Sequence, residues 1–112
     1  MDKQEFIKEL VRCFPYLKDD ILDTDYEGLF SLQVGVFRDY TQEAIDSSDK
    51  SRTNSHFDFI LQHYDKFDDD VENSIVLSYI GKLNFGRYPK PKLFEEVQRM
   101  LNEYFQDLLV EK

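Results

Sequence analysis

The chain has 112 residues, with 14 Lys and Arg against 23 Asp and Glu for a formal net charge of −9, and this length suits a single domain, residues 1–112. The acidic balance argues against nucleic acid or an anionic membrane as a partner, and it favours either a basic protein partner or solubility alone. One cysteine, Cys13, excludes an internal disulfide.

Ten Phe and seven Tyr supply a globular core, not a disordered chain. The charged start MDKQEFIKEL does not read as a secretion signal. The longest uncharged run, Gly28–Phe37, is far short of the ~20 residues that a membrane-spanning helix needs. A cytoplasmic setting is therefore expected.

Residues 2–14 predict a first helix. Asp2 with Glu5 makes a capping box, Phe6, Ile7, Leu10, Cys13 and Phe14 make an apolar stripe, and Pro15 ends it. Cys13 on that stripe is expected to be a small buried side chain. Residues 15–25 read as a turn or short helical piece. Thr24 with Glu27 then predicts a second helix to about Ser47. Within it Phe30, Leu32, Val34 and Val36 alternate as a strand would. No second alternating segment exists to pair with them, so helix is the reading. Gly35 inside that helix is expected to serve close packing.

The run SSDKSRTN, 47–54, reads as a linker. A third helix is expected over about 54–67, with Phe57, Ile60, Leu61, Tyr64 and Phe67 facing inward. Asp69 with Glu72 caps the next helix, Val71–Phe85. There Ile75, Val76, Tyr79, Ile80 and Leu83 form a wide stripe, Leu77 sits off it, and Ser74, Ser78 and Gly81 offer a side that a neighbour could approach. This stretch is expected to be central, with the third helix and this one forming the surest hairpin. NFGRYPKPK, 84–92, is a loop with Pro91 at the first position of the last helix. That helix, about 92–110, carries Leu93, Phe94, Val97, Met100, Leu101, Tyr104, Phe105 and Leu108 on one side. The fold class predicted is all-α: a single domain of about five helices in an antiparallel bundle.

The chemistry-bearing patterns are few. Asp23-Thr-Asp25-Tyr-Glu27-Gly28 resembles half a calcium loop, but the twelfth position is Val34, which cannot coordinate. His56 and His63 are seven apart, about 10 Å along a helix, and read as ordinary surface or boundary histidines. No zinc, nucleophile-elbow or phosphate-loop motif occurs, so no metal, cofactor or catalytic residue is expected. Lys82, Arg87, Lys90 and Lys92 flank Phe85 and Tyr88, an interleaving that can bind nucleic acid or phosphate but is slight in so acidic a chain. Asp65, Asp68, Asp69, Asp70 and Glu72 are the densest acids, with Asp19 and Asp20 a smaller group. As a partner-binding set they would steer a basic protein; as structural residues they favour helix starts.

The block Phe57–Leu83, FDFILQHYDKF followed by an acidic turn and VENSIVLSYIGKL, resembles a family of small uncharacterised bacterial helical proteins. Proteins of that character resemble toxin-immunity proteins. The likeness covers about residues 54–85, and Gly81 stands where the family shows Glu. It implies a non-enzymatic cytosolic protein that neutralises another protein, and it brings no catalytic residue. The expected function is thus an acidic protein-binding module, an immunity-type inhibitor of a basic partner in its concrete form. The alternatives are a small-ligand pocket using Tyr79, Asn73, Ser74, Ser78 and His63, and a homo-oligomer joined through the Leu93–Leu108 helix.

Overall fold

The first helix, α1 (Lys3–Cys13), starts where Asp2 accepts a hydrogen bond from the Glu5 amide at 2.8 Å. It ends before Pro15, as the capping box and the proline predict. A computed structural model describes residues 1–110, which form helices and turns with no strand among the described residues. The all-α expectation holds, with six α-helices among the described residues where about five were expected.

Between Pro15 and Tyr26 the chain makes a 3-10 turn at Pro15–Leu17, the short α2 (Lys18–Ile21), and a second 3-10 turn at Thr24–Tyr26. The capping box expected at Thr24 does not open a long helix. Asp23 caps the isolated turn by accepting from the Asp25 amide at 2.9 Å. Gly28 then takes a positive φ of 77°, a left-handed kink that glycine adopts without strain and that interrupts helical continuity.

The long helix α3 (Phe30–Asp46) follows, burying Phe30, Val34, Phe37, Thr41 and Ala44. Their helical spacing resolves the strand-like alternation, because Leu32 is left exposed. Gly35 does not serve close packing: a Cβ there would meet nothing within 4 Å. Helix α4 (Lys50–His63) begins four residues earlier than predicted, because Asp49 caps it through the Arg52 amide at 3.1 Å. Most of the polar run 47–54 is thus the first turns of a helix. Of the residues expected to face inward, Phe57 and Ile60 are buried, Tyr64 and Phe67 half-buried, and Leu61 exposed.

After a 3-10 turn at Tyr64–Lys66, α5 (Asp69–Ser74) is capped by Asp68, one residue before the acid predicted for that role, through the Val71 amide at 2.9 Å. The stretch then widens into a π-helical turn, Ile75–Tyr79, where the Ile80 amide reaches the Ile75 carbonyl five residues back. It tightens into a 3-10 turn at Ile80–Lys82. As expected, the stretch is central: Val71, Ile75, Tyr79, Ile80, Leu83 and Phe85 are all buried, and Leu77 is not.

Its principal neighbour, however, is α3 and not α4. The expected hairpin between the third helix and this segment is not the main pairing, because α3 packs on α4, on α5 and on the π turn together. Gly81 does serve close approach. A Cβ there would lie 2.9 Å from the Val76 carbonyl oxygen and 2.8 Å from a Leu101 methyl.

Helix α6 (Lys92–Val110) opens with a bond from the Glu95 amide to the Pro91 carbonyl at 3.1 Å. Pro91 therefore precedes the helix by one residue. Phe94 and Val97 are buried, and Phe94 makes an edge-on contact with Phe57 at 5.0 Å. Farther along, the same stripe leaves the body.

Candidate functional site

The most ordered polar arrangement lies in the core. His56, on α4, is fully buried together with Thr41 on α3 and Tyr79 in the π turn. His56 Nδ1 is 2.8 Å from Thr41 Oγ1, which is 2.9 Å from the Tyr79 hydroxyl. The other ring nitrogen, Nε2, is 2.6 Å from the hydroxyl of Tyr16, a side chain half-exposed at the surface.

One proton assignment satisfies every member. Tyr16 donates to Nε2, Nδ1–H donates to Thr41 Oγ1, Tyr79 donates to the same oxygen, and Thr41 donates to the Phe37 carbonyl at 3.1 Å. The histidine is then neutral. Burial, with the nearby Arg52 charge adding, holds its pKa down at about 4. Burial also pushes the Tyr79 hydroxyl far above the usual phenol range, so it stays a donor. Phe14 and Phe37 close over the ring, with centroids 4.8 and 4.9 Å away. A neutral histidine linked to the surface through one phenol can hold or pass a proton. Among the described residues no carboxylate hydrogen-bonds to it.

A cavity of about 680 Å³ lies between the end of α3, the first turns of α4 and the loop 84–91. Lys50, Asn54, Asn84, Arg87 and Tyr88 are among its lining residues. The loop is fixed from both sides. The Gln42 side-chain amide donates to the Asn84 carbonyl at 2.8 Å and accepts from the Asn84 amide at 2.9 Å. Tyr88 donates to Asn54 Oδ1.

A smaller cleft of about 370 Å³ holds Glu9, Arg12, Cys13 and His63 among its lining residues. Cys13 is exposed and not buried as expected. It sits at the last position of α1, where the stripe turns toward solvent. Partial burial nevertheless raises its pKa despite the adjacent Arg12, so the thiol is not the activated thiolate that a nucleophile requires.

The acids singled out from sequence occupy separate elements. Asp65, Asp68, Asp69, Asp70 and Glu72 follow one another along the turn into α5, all exposed except half-buried Glu72. Asp68 is the cap, and Asp70 lies 3.9 Å from the Lys3 ammonium. Asp19 and Asp20 sit on α2, which packs mainly on α3 and α1, and Asp20 accepts from the Tyr40 hydroxyl. A family model described as Domain of unknown function (DUF7674) matches residues 7–111. The chain belongs to that family. No curated protein and no solved structure matches it.

The DUF7674 span contains every member of the buried chain, the loop cavity and all seven acids. The residues proposed for a pocket from sequence do not converge, since Tyr79 is consumed by Thr41, Asn73 is exposed, and His63 turns Nδ1 onto the Phe59 carbonyl at 2.7 Å. His56 is a correction, because it is a core residue and not one at the surface or boundary. The signal was present in the spacing. Thr53, His56, Phe57 and Ile60 stand at i, i+3, i+4 and i+7, so the stripe of α4 extends one turn before the point where it was begun. Among the described residues no helix is long and apolar enough to cross a membrane.

Proposed function

We propose that this chain is a non-enzymatic protein-binding module whose contact is the distal half of α6. One observation carries the reading. Met100, Tyr104, Phe105 and Leu108 are each 46–59% exposed, at a spacing that places them along one flank of the helix. Large apolar side chains grouped in this way mark interaction surfaces more often than isolated ones do. The stripe that anchors the helix through Phe94 and Val97 simply continues past the body.

The acids Glu95, Glu96, Glu103 and Asp107 outnumber Lys92 and Arg99 along the same helix. A second copy would bring like charges together. A partner segment with apolar residues framed by Lys and Arg is the better complement. The net charge of −9 would speed that encounter. In its narrower form the reading is an immunity-type inhibitor that covers a basic active site, steered by Asp65, Asp68, Asp69, Asp70 and Glu72, with Asp19 and Asp20 contributing from α2.

The test is a titration with a synthetic amphipathic helical peptide built of Leu and Lys, beside a Leu and Glu peptide of the same pattern. The expected result is saturable, salt-sensitive binding of the basic peptide only, weakened about tenfold or more by Tyr104→Ser with Phe105→Ser. Equal binding by the double variant would remove α6 from the reading. A concentration-dependent dimer in sedimentation, abolished by the same double variant, would assign the surface to a second copy instead.

A further inference from the structure

We propose that the cavity under the loop 84–91 is a binding site for a small phosphomonoester. Its volume of about 680 Å³ is in the range of small-ligand sites, roughly 300–1,000 Å³. The loop that forms one wall is preorganised by the two Gln42 bonds to Asn84 and by buried Phe85. A site whose walls are already ordered loses little entropy on binding.

The polarity of the lining selects the ligand. Asn54 has its side-chain oxygen occupied by the Tyr88 hydroxyl, and Asn84 has its own occupied by the Gly86 amide at 3.1 Å. Both side-chain NH2 groups are left as donors without an acceptor among the described residues. Lys50 and Arg87 line the same cavity, and neither makes an ion pair among the described residues. Asp46 is the one acid among the described lining residues, and its Oδ1 accepts from Gln42 at 3.0 Å.

The site therefore presents two cations and two amide donors with few free acceptors, inside a chain of charge −9. That inventory exceeds what the two oxygens of a carboxylate can accept and suits the three terminal oxygens of a phosphomonoester, with Arg87 as a fork and Lys50 as a point charge. Ile45 and Pro89 in the lining offer apolar surface for the organic part. A polymeric phosphate backbone is disfavoured, because the net charge of the whole chain would repel it.

Inorganic phosphate is the probe. It is titrated into the full chain at constant ionic strength, with amide and side-chain NH2 resonances followed by NMR and acetate as the parallel arm. Saturable shifts at Gly86, Arg87 and the Asn54 side chain are expected with phosphate and not with acetate. Arg87→Ala and Lys50→Ala, both at exposed positions, should each weaken phosphate binding about tenfold or more while leaving the unfolding midpoint unchanged. No saturable shift, equal shifts with acetate, or an unchanged affinity in both variants would each overturn the proposal.

Discussion

Two regions of this molecule invert the usual placement of side chains. Around His56, polar groups sit in the dry interior, and every hydrogen-bonding atom of the His56–Thr41–Tyr79 set has a partner. Along distal α6, Met100, Tyr104, Phe105 and Leu108 sit in water. The first inversion costs desolvation that hydrogen bonds offset, so it fixes one packing of α3, α4 and the π turn. The second offsets nothing within the chain, so its consequence falls on binding and not on folding. Local departures from the inside–outside rule thus differ in kind, according to whether the same chain supplies the compensation.

The comparison breaks most readily at His56. His56→Ala leaves a cavity, removes one of the three hydrogen bonds of Thr41 Oγ1 and turns the half-exposed Tyr16 hydroxyl over to water, and is expected to cost roughly 3–5 kcal/mol in urea unfolding. A cost below about 1 kcal/mol would mean that the buried chain is incidental.

Acid gives the next effect. The folded pKa of about 4 lies below the ordinary 6.5, so between these values the unfolded chain binds more protons and stability rises with pH. The contribution is fully present above pH 6.5 and is lost as pH falls toward 4, by up to about 3 kcal/mol. His56→Gln, neutral throughout, should show a loss between pH 7 and 4.5 smaller by about that amount. An identical loss in both chains would show that other groups govern the acid response.

Gly81→Ala sharpens the comparison from the packing side. The added methyl meets the Val76 carbonyl, which is backbone and cannot swing away, and about 1–3 kcal/mol of destabilisation is expected by thermal melting. The smallest effect belongs to distal α6. Tyr104→Ser with Phe105→Ser should change stability by only about 0.5 kcal/mol, a shift that calorimetry can resolve. A large loss would place those rings in the folding core after all.

Much of the fold was legible from apolar spacing. The helical class, the central position of Val71–Phe85, the cap at Asp2 and the stripe of α6 all follow from periodicity and cap chemistry. Boundaries were not legible where cap residues crowd together. Asp49 opens α4 ahead of the start expected at about residue 54, and Asp68 takes the role expected of Asp69, since in a polar run every Ser, Asp or Asn can cap and only the tertiary contacts decide. The π turn left no mark, because Ile75 and Tyr79 read as an ordinary stripe. The hub role of α3 was hidden for a similar reason, since periodicity shows which face is buried but not against which helix. The candidate sites were less legible still. The acids were visible as two groups, but the use of Asp68 as a cap and of Asp20 as the acceptor for Tyr40 was not. The loop cavity joins residues from 45 to 89, a juxtaposition that exists only after folding.

Gln42 has one more consequence, for the time course of motion. Its side-chain amide meets Asn84 as a neighbouring strand would, donating to the carbonyl and accepting from the amide. The Asn84 amide hydrogen can therefore exchange with solvent only when the loop detaches from α3. That single hydrogen is a built-in clock. Its exchange rate reports how often the loop lifts, separately from the rarer event of unfolding the whole chain.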